Sequence, residues 1–226
     1  SKPFSKANAF LTSKGQKPID WSQITDYKEP IEETIRNNAR NWSPERISAV
    51  DYAILTVAIA EMLKGGIVSF SDMYMFEDAV AEVVLETGMK ANLSRALVSF
   101  SPDANIETDT RFAEAKALVA KYQNADDERV KVDFSLHAEY TNVPNYITQV
   151  SEYTAANNLR MHLHVSETEK EHSECIARHG KTPTKLFYDL GALNTPTLAA
   201  HCVWVNDEDI AIMAEKGVSV VHNPVS

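Results

Sequence analysis

From residue 43 onward the apolar positions alternate between a helical and a strand-like period. Ser43-Pro44-Glu45 opens a helix, with Ser43 as cap and Pro44 in the first turn. Ile47, Val50, Ile54, Val57, Ala58 and Met62 then fall on one stripe, and Gly65-Gly66 ends the pattern. A short apolar run over 67–70 predicts a buried strand, and 76–87 a second helix closed by Gly88. The same unit recurs, with strands over 89–98, 130–136, 160–165, 197–203 and 218–221. Helices are predicted over 108–123, 143–157, 166–178, 183–190 and 207–215. Strands separated by helices mean a parallel sheet covered by helices, so the fold class is α/β. Six strands fit either part of a (β/α)8 barrel or an open doubly wound sheet.

The polar residues choose between the two. His137, His164, His201 and His222 each stand at or near the C-terminal end of a predicted strand, the rim on which a barrel builds its site. An open sheet would be expected to carry phosphate-binding glycines at such an end, and no Gly-x-Gly-x-x-Gly occurs. The expectation is a partial (β/α)8 barrel over residues 43–226, preceded by a separate segment over 1–42.

Composition narrows the partners. A formal charge of −10 and the lack of a Lys/Arg cluster argue against nucleic acid. No run of 18 apolar residues suggests a membrane span. Cys175 and Cys202 match neither a disulfide framework nor a Cys-x-x-Cys zinc pattern, and read as reduced, buried thiols of a cytoplasmic protein.

Met161-His162-Leu163-His164-Val165-Ser166-Glu167 is the stretch richest in chemistry. His162 and His164 are two apart on a strand and share a face, and Glu167 follows at the turn into a helix. A neutral imidazole at a strand end suits a metal, and a nearby carboxylate suits proton transfer. His162 reads equally as packing inside a barrel. His172 and His179 read as solvent-facing on the next helix, and His222 as part of a strand-end turn. Asp72 reads as a cap or a site contact.

His164-Val165-Ser166-Glu167-Thr168 resembles the fifth-strand motif of the amidohydrolase superfamily, in the group of 5-methylthioadenosine/S-adenosylhomocysteine deaminases and related chlorohydrolases. The likeness extends through Ala60-Glu61-Met62, Ser71-Asp72-Met73-Tyr74, Ala199-Ala200-His201-Cys202-Val203 and Val221-His222-Asn223-Pro224. It implies a hydrolytic deaminase of adenine-type purines with a divalent metal, zinc by the family's habit. His164 would bind the metal, Glu167 would protonate the purine ring nitrogen, and His201 would orient the attacking water. His137 would contact substrate, although Leu136-His137-Ala138-Glu139-Tyr140 carries Glu139 where the family usually has Pro. Arg111 matches the place of an arginine that meets a distal carboxylate of the substrate. The chemistry fits these residue types, because a metal lowers the pKa of bound water to about 7 and a partly buried Glu can serve as general acid.

The family's metal site also uses a His-x-His pair on the first barrel strand and an Asp on the eighth, and residues 1–42 hold no histidine. This predicts a barrel lacking its first and last strands, an incomplete metal site and an inactive chain. Open parallel edges pair with other chains, so a homo-oligomer is expected. A non-catalytic binding or scaffold protein on a degenerate barrel is the alternative of another class. A chlorohydrolase or guanine deaminase relative is the alternative within the enzyme class.

Overall fold

The computed structural model describes Thr12 and residues 44–224, with side chains described from Ile54 to Pro224 along the main chain run. Apart from Thr12, the segment 1–42 lies outside the described residues, as do the Ser43 cap and the side chains of Ile47 and Val50. Among these, the elements follow in the order α1 (Pro44–Lys64), β1 (Ser69–Tyr74), α2 (Glu77–Thr87), β2 (Lys90–Leu97), α3 (Thr110–Tyr122) and the single turn α4 (Ala125–Glu128). Then come β3 (Val130–Val132), β4 (Phe134–Leu136), a 3-10 turn (Glu139–Thr141), α5 (Pro144–Ala156), β5 (Met161–Val165) and α6 (Glu169–His179). The chain continues with α7 (Pro183–Asp189), β6 (Thr197–His201), α8 (Asp207–Lys216) and β7 (Ser219–Val221). None of these helices is long and apolar enough to cross a membrane.

The sheet runs in the order β1-β2-β4-β5-β6-β7, with β3 beside β2 off that path. The ladders from β2 to β7 are parallel. A doubly wound sheet reverses its strand order at a switch point. Here the order never reverses, so each crossover moves the chain the same way, as in a (β/α)8 barrel. The fold is therefore α/β with six parallel strand positions, a partial barrel as expected.

Contacts divide the described chain into two compact units. In the first, α1 packs on α2, which buries Val80, Ala81, Val83 and Val84. The predicted stripe on α1 needs correcting: Ile54 is 55% exposed and Val57 36%, whereas Thr56, Ile59, Ala60 and Leu63 are buried. A helix this rich in apolar residues offers more than one stripe, and packing selects among them. The strand predicted over 67–70 begins late, at Ser69. Ile67 N–H donates to the Met62 carbonyl and Gly66 N–H to the Leu63 carbonyl, with Gly66 at φ 86°. Those two bonds are the paired closure of a helix C-terminus, so residues 66 and 67 belong to the helix end.

The second unit holds the main core. Phe134, Leu136, Met161, Leu163, Val165 and Ala199 project from the strands onto Tyr146, Ile147 and Val150 of α5 and Ile212 of α8. Phe112 meets Phe134 and Tyr153 edge to face, and Phe134 and Tyr153 are tilted on each other, with ring centroids 4.9 to 5.3 Å apart. The strand predicted over 130–136 breaks at Asp133, whose buried carboxylate accepts from Arg160 Nε at 2.6 Å. The helix predicted from Ser166 starts at Glu169, because the Thr168 side chain caps it by accepting from Glu171 N–H at 3.1 Å.

α8 carries a reciprocal cap: Asn206 Oδ1 accepts from Asp209 N–H at 2.9 Å and Asp209 Oδ2 from Asn206 N–H at 3.1 Å. Asn206→Ala removes half of this box and is expected to cost about 0.5–2 kcal/mol, read as a lower urea midpoint with an unchanged slope.

Candidate active site

Strand parity decides which side chains can meet. On β5, Met161, Leu163 and Val165 turn into the helix-side core, so His162 and His164 share the opposite face. On β4, Phe134 and Leu136 enter the core, which leaves Ser135, and then His137 beyond the strand, on that same opposite face. Parity runs against His201, since Ala199 two residues earlier is in the core. The backbone overrides it: His201 and Cys202 have φ of 73° and 51°, and the His201 ring stands 5.4 Å from that of His164. Such a left-handed pair of non-glycine residues is invisible to a pattern of alternation.

Four of the five expected site residues come together. The rings of His137 and His164 are 5.0 Å apart, and Glu167 Oε1 is 3.6 Å from His201 Nε2. His164 Nδ1 lies 2.8 Å from the carbonyl oxygen of His137. A carbonyl only accepts, so Nδ1 carries the proton and Nε2 keeps its lone pair. His137 Nδ1 is 3.1 Å from Thr141 Oγ1. Burial lowers the pKa of His137, with His164 adding to the effect and Glu167 opposing it. Burial also lowers that of His201, against the pull of Glu167. Both shifts favour the neutral form of the ring.

His162 is buried and 3.0 Å from Ser94 Oγ, and burial takes its pKa down to about 3. It packs inside the sheet, as one of its two readings had it. His172 and His179 are half-buried, a correction to their expected exposure. His172 Nδ1 lies 3.4 Å from Ser166 Oγ, and His179 Nε2 is 4.0 Å from Glu139 Oε2. His222 is exposed just beyond β7, and Asp72 lies within β1, ahead of no helix start. Cys175 is buried and Cys202 half-buried, both as free thiols.

Glu171 is the site residue that the sequence reading missed. Its buried carboxylate accepts from Ser166 N–H at 2.9 Å and Glu167 N–H at 2.8 Å, which fixes the backbone that presents Glu167. Burial raises its pKa, against those backbone hydrogen bonds. The signal was present as Thr168-x-x-Glu171, the pattern of a capped helix start.

Arg111 takes part in none of these contacts. Its Nε and Nη2 donate to Asp109 at 3.0 and 3.1 Å, and Asp109 also accepts from Tyr146 Oη at 2.7 Å. Burial alone would raise the Asp109 pKa, but the hydrogen bonds from Arg111 and Tyr146 outweigh it and the net shift is downward. A depressed carboxylate stabilises the fold above its unfolded value, about 3.9, and loses that contribution as pH falls through its folded value. Asp109→Asn is accordingly expected to be less stable at pH 7 and to show a shallower loss of stability below about pH 4. Paired urea titrations at pH 3 and pH 7 would check this.

Among the described residues, no group of three His, Cys, Asp or Glu side chains is placed to hold a metal ion. His164, with Nε2 open and His201 beside it, is a partial donor set, short of the three protein ligands of a catalytic zinc.

The chain is similar to proteins of known family and fold. The model of the amidohydrolase family matches residues 28–226. A 5-methylthioadenosine/S-adenosylhomocysteine deaminase of Dictyoglomus thermophilum is 39% identical over 199 residues, covering 87% of this chain and 45% of its own length. A 5'-deoxyadenosine deaminase of Methanosarcina acetivorans is 38% identical over 187 residues, covering 82% and 43%. Among solved structures, a zinc-bound adenosine deaminase from Xanthomonas campestris superposes with a TM-score of 0.68 at 30% identity, over 86% of this chain and 42% of that one. A guanine deaminase from C. acetobutylicum, at 20% identity and a TM-score of 0.65, shares the fold. The chain spans less than half the length of the curated relatives it matches.

Proposed function

We propose, from the premise that this chain belongs to the amidohydrolase family, that it carries part of the active site of a metal-dependent hydrolytic deaminase of adenosine-type substrates. The observation that carries the reading is the meeting of His137, His164, His201 and Glu167 at the C-terminal ends of adjacent strands. The deaminases named among its relatives agree with that chemistry.

In this reading each residue has one task. Glu167, 36% exposed and tethered through its backbone by Glu171, reaches the substrate and gives a proton to the purine ring nitrogen. His201, favoured in its neutral form and against Glu167, accepts a hydrogen bond from the attacking water and orients it. His137 contacts the substrate from the next strand end, and Arg111 is available to a distal carboxylate only if it exchanges Asp109 for it. His164 Nε2 would contribute one metal ligand. The described donors stop short of the three that a catalytic zinc needs. The 226-residue chain is expected to retain well below one equivalent of zinc after dialysis, measured by atomic absorption.

The deciding experiment assays the protein at its full natural length for ammonia release from a panel of adenosine derivatives differing at the 5' position. Release from at least one of them, dependent on added zinc, supports the reading. No release from any adenine nucleoside with metal bound would overturn it.

A further inference from the structure

Helix α6 presents a polar stripe where a helix over a sheet usually presents apolar residues. Glu171, Cys175 and Arg178 stand at i, i+4 and i+7, so they line one face, and α6 contacts the 3-10 turn Glu139–Thr141. At the N-terminal end of the stripe, Glu171 holds the backbone of Ser166 and Glu167. At the other end, Arg178 Nη2 donates to Glu139 Oε1 at 2.5 Å. The Glu139 side chain is fully buried, and its other carboxylate oxygen has no hydrogen-bond partner and lies 4.0 Å from His179 Nε2.

Burying a carboxylate is costly, and a turn does not need one to form. This turn already closes on itself. Thr141 Oγ1 bonds Ala138 N–H at 3.1 Å, and Asn142 Nδ2 donates to the carbonyls of Ala138 and Leu97 at 3.0 and 3.2 Å. What Glu139 adds is an attachment to α6, two residues after His137. The His137 carbonyl accepts from His164 N–H at 3.1 Å and from His164 Nδ1–H at 2.8 Å, so its position sets the orientation of the His164 ring.

We propose that Glu139 and Arg178 are a positioning pair that ties the His137 turn to α6, so that one helix aligns both the His137–His164 contact and the Glu167 backbone. Neither residue touches substrate; both act through the imidazoles. The kinetic part of this inference rests on the proposed deaminase activity, and the spectroscopic part does not.

The test uses Glu139→Ala, the conservative Glu139→Asp, Arg178→Met and the double variant Glu139→Ala/Arg178→Met, in the protein at full natural length. Proton–nitrogen spectra of histidine-labelled protein report the protonated Nδ1 of His164. Melting temperature, kcat and KM are measured beside them. Glu139→Ala and Arg178→Met are each expected to move the His164 Nδ1–H signal and lower kcat about 10–100-fold with little change in KM. Glu139→Asp should restore part of both, and the double variant should be no worse than either single one, as for residues acting as a unit. A lower melting temperature with the His164 signal unmoved and kcat unchanged would sink the proposal, leaving only a structural ion pair. Arg178 is 39% exposed, so its variant keeps the question answerable even if Glu139→Ala does not fold. If the unmodified protein deaminates nothing, the functional reading has failed, and the imidazole signal alone decides the positioning.

Discussion

Glu167→Gln, in the protein at full natural length, is expected to lower the deamination rate by about 10²–10⁴-fold while metal content and melting temperature stay unchanged. The amide keeps the size of the side chain but has no proton of suitable acidity to transfer. The fold has little stake in the carboxylate, which is 36% exposed and faces His201 at 3.6 Å. What holds the loop is the Glu167 backbone N–H donated to Glu171, and the substitution leaves it in place. A loss of rate in that range is worth about 3–5 kcal/mol of transition-state energy, whereas partly exposed substitutions away from packing typically change stability by about 0.5 kcal/mol or less. Kinetics and thermal melting therefore separate a proton donor from a structural residue. A rate within about threefold of the parent, far from the expected loss, would make Glu167 a loop residue and remove the general acid from the reading.

His164→Ala is expected to give a different pattern, with metal and activity lost together. Its Nε2 lone pair is kept open because Nδ1–H is committed to the His137 carbonyl. Removing this proposed ligand should weaken metal binding by more than the about 10–100-fold typical of losing an outer hydrogen-bond partner. Zinc content and rate measured on both variants then distinguish the roles: Glu167→Gln keeps the metal and His164→Ala does not. Full zinc occupancy in the His164→Ala protein would show that the ion, if held, is held elsewhere.

The strands that position these residues were legible because period and punctuation agree over most of the chain. Helix α2 with Gly88 after it, and helix α5 with Pro144 in its first turn, formed within a residue or two of expectation. The choice of barrel over open sheet came from histidines at strand ends, and the non-reversing strand order bears it out. Three things could not be read. The buried stripe of α1 depends on which of several apolar faces meets α2. The break at Asp133 depends on a partner, Arg160, that is distant in sequence. The inward turn of His201 depends on a backbone conformation that no side-chain pattern announces. Glu139 was legible as a departure from the family's proline, but its partner Arg178 emerges only when α6 lies over the turn.

The left-handed residues Ser166, His201 and Cys202 also govern how this rim can diversify. Each pays for its conformation on the order of 1–2 kcal/mol, so what these positions tolerate is set first by backbone shape and only then by chemistry. Glycine, asparagine and aspartate enter such positions with little penalty, while valine, isoleucine and threonine are disfavoured whatever they would contribute. A library drawn on residue chemistry alone would be filled with variants that fail for want of a backbone they can adopt. For His201 in particular, asparagine is the substitution that isolates the imidazole, since it keeps a polar group and accepts a φ of 73°.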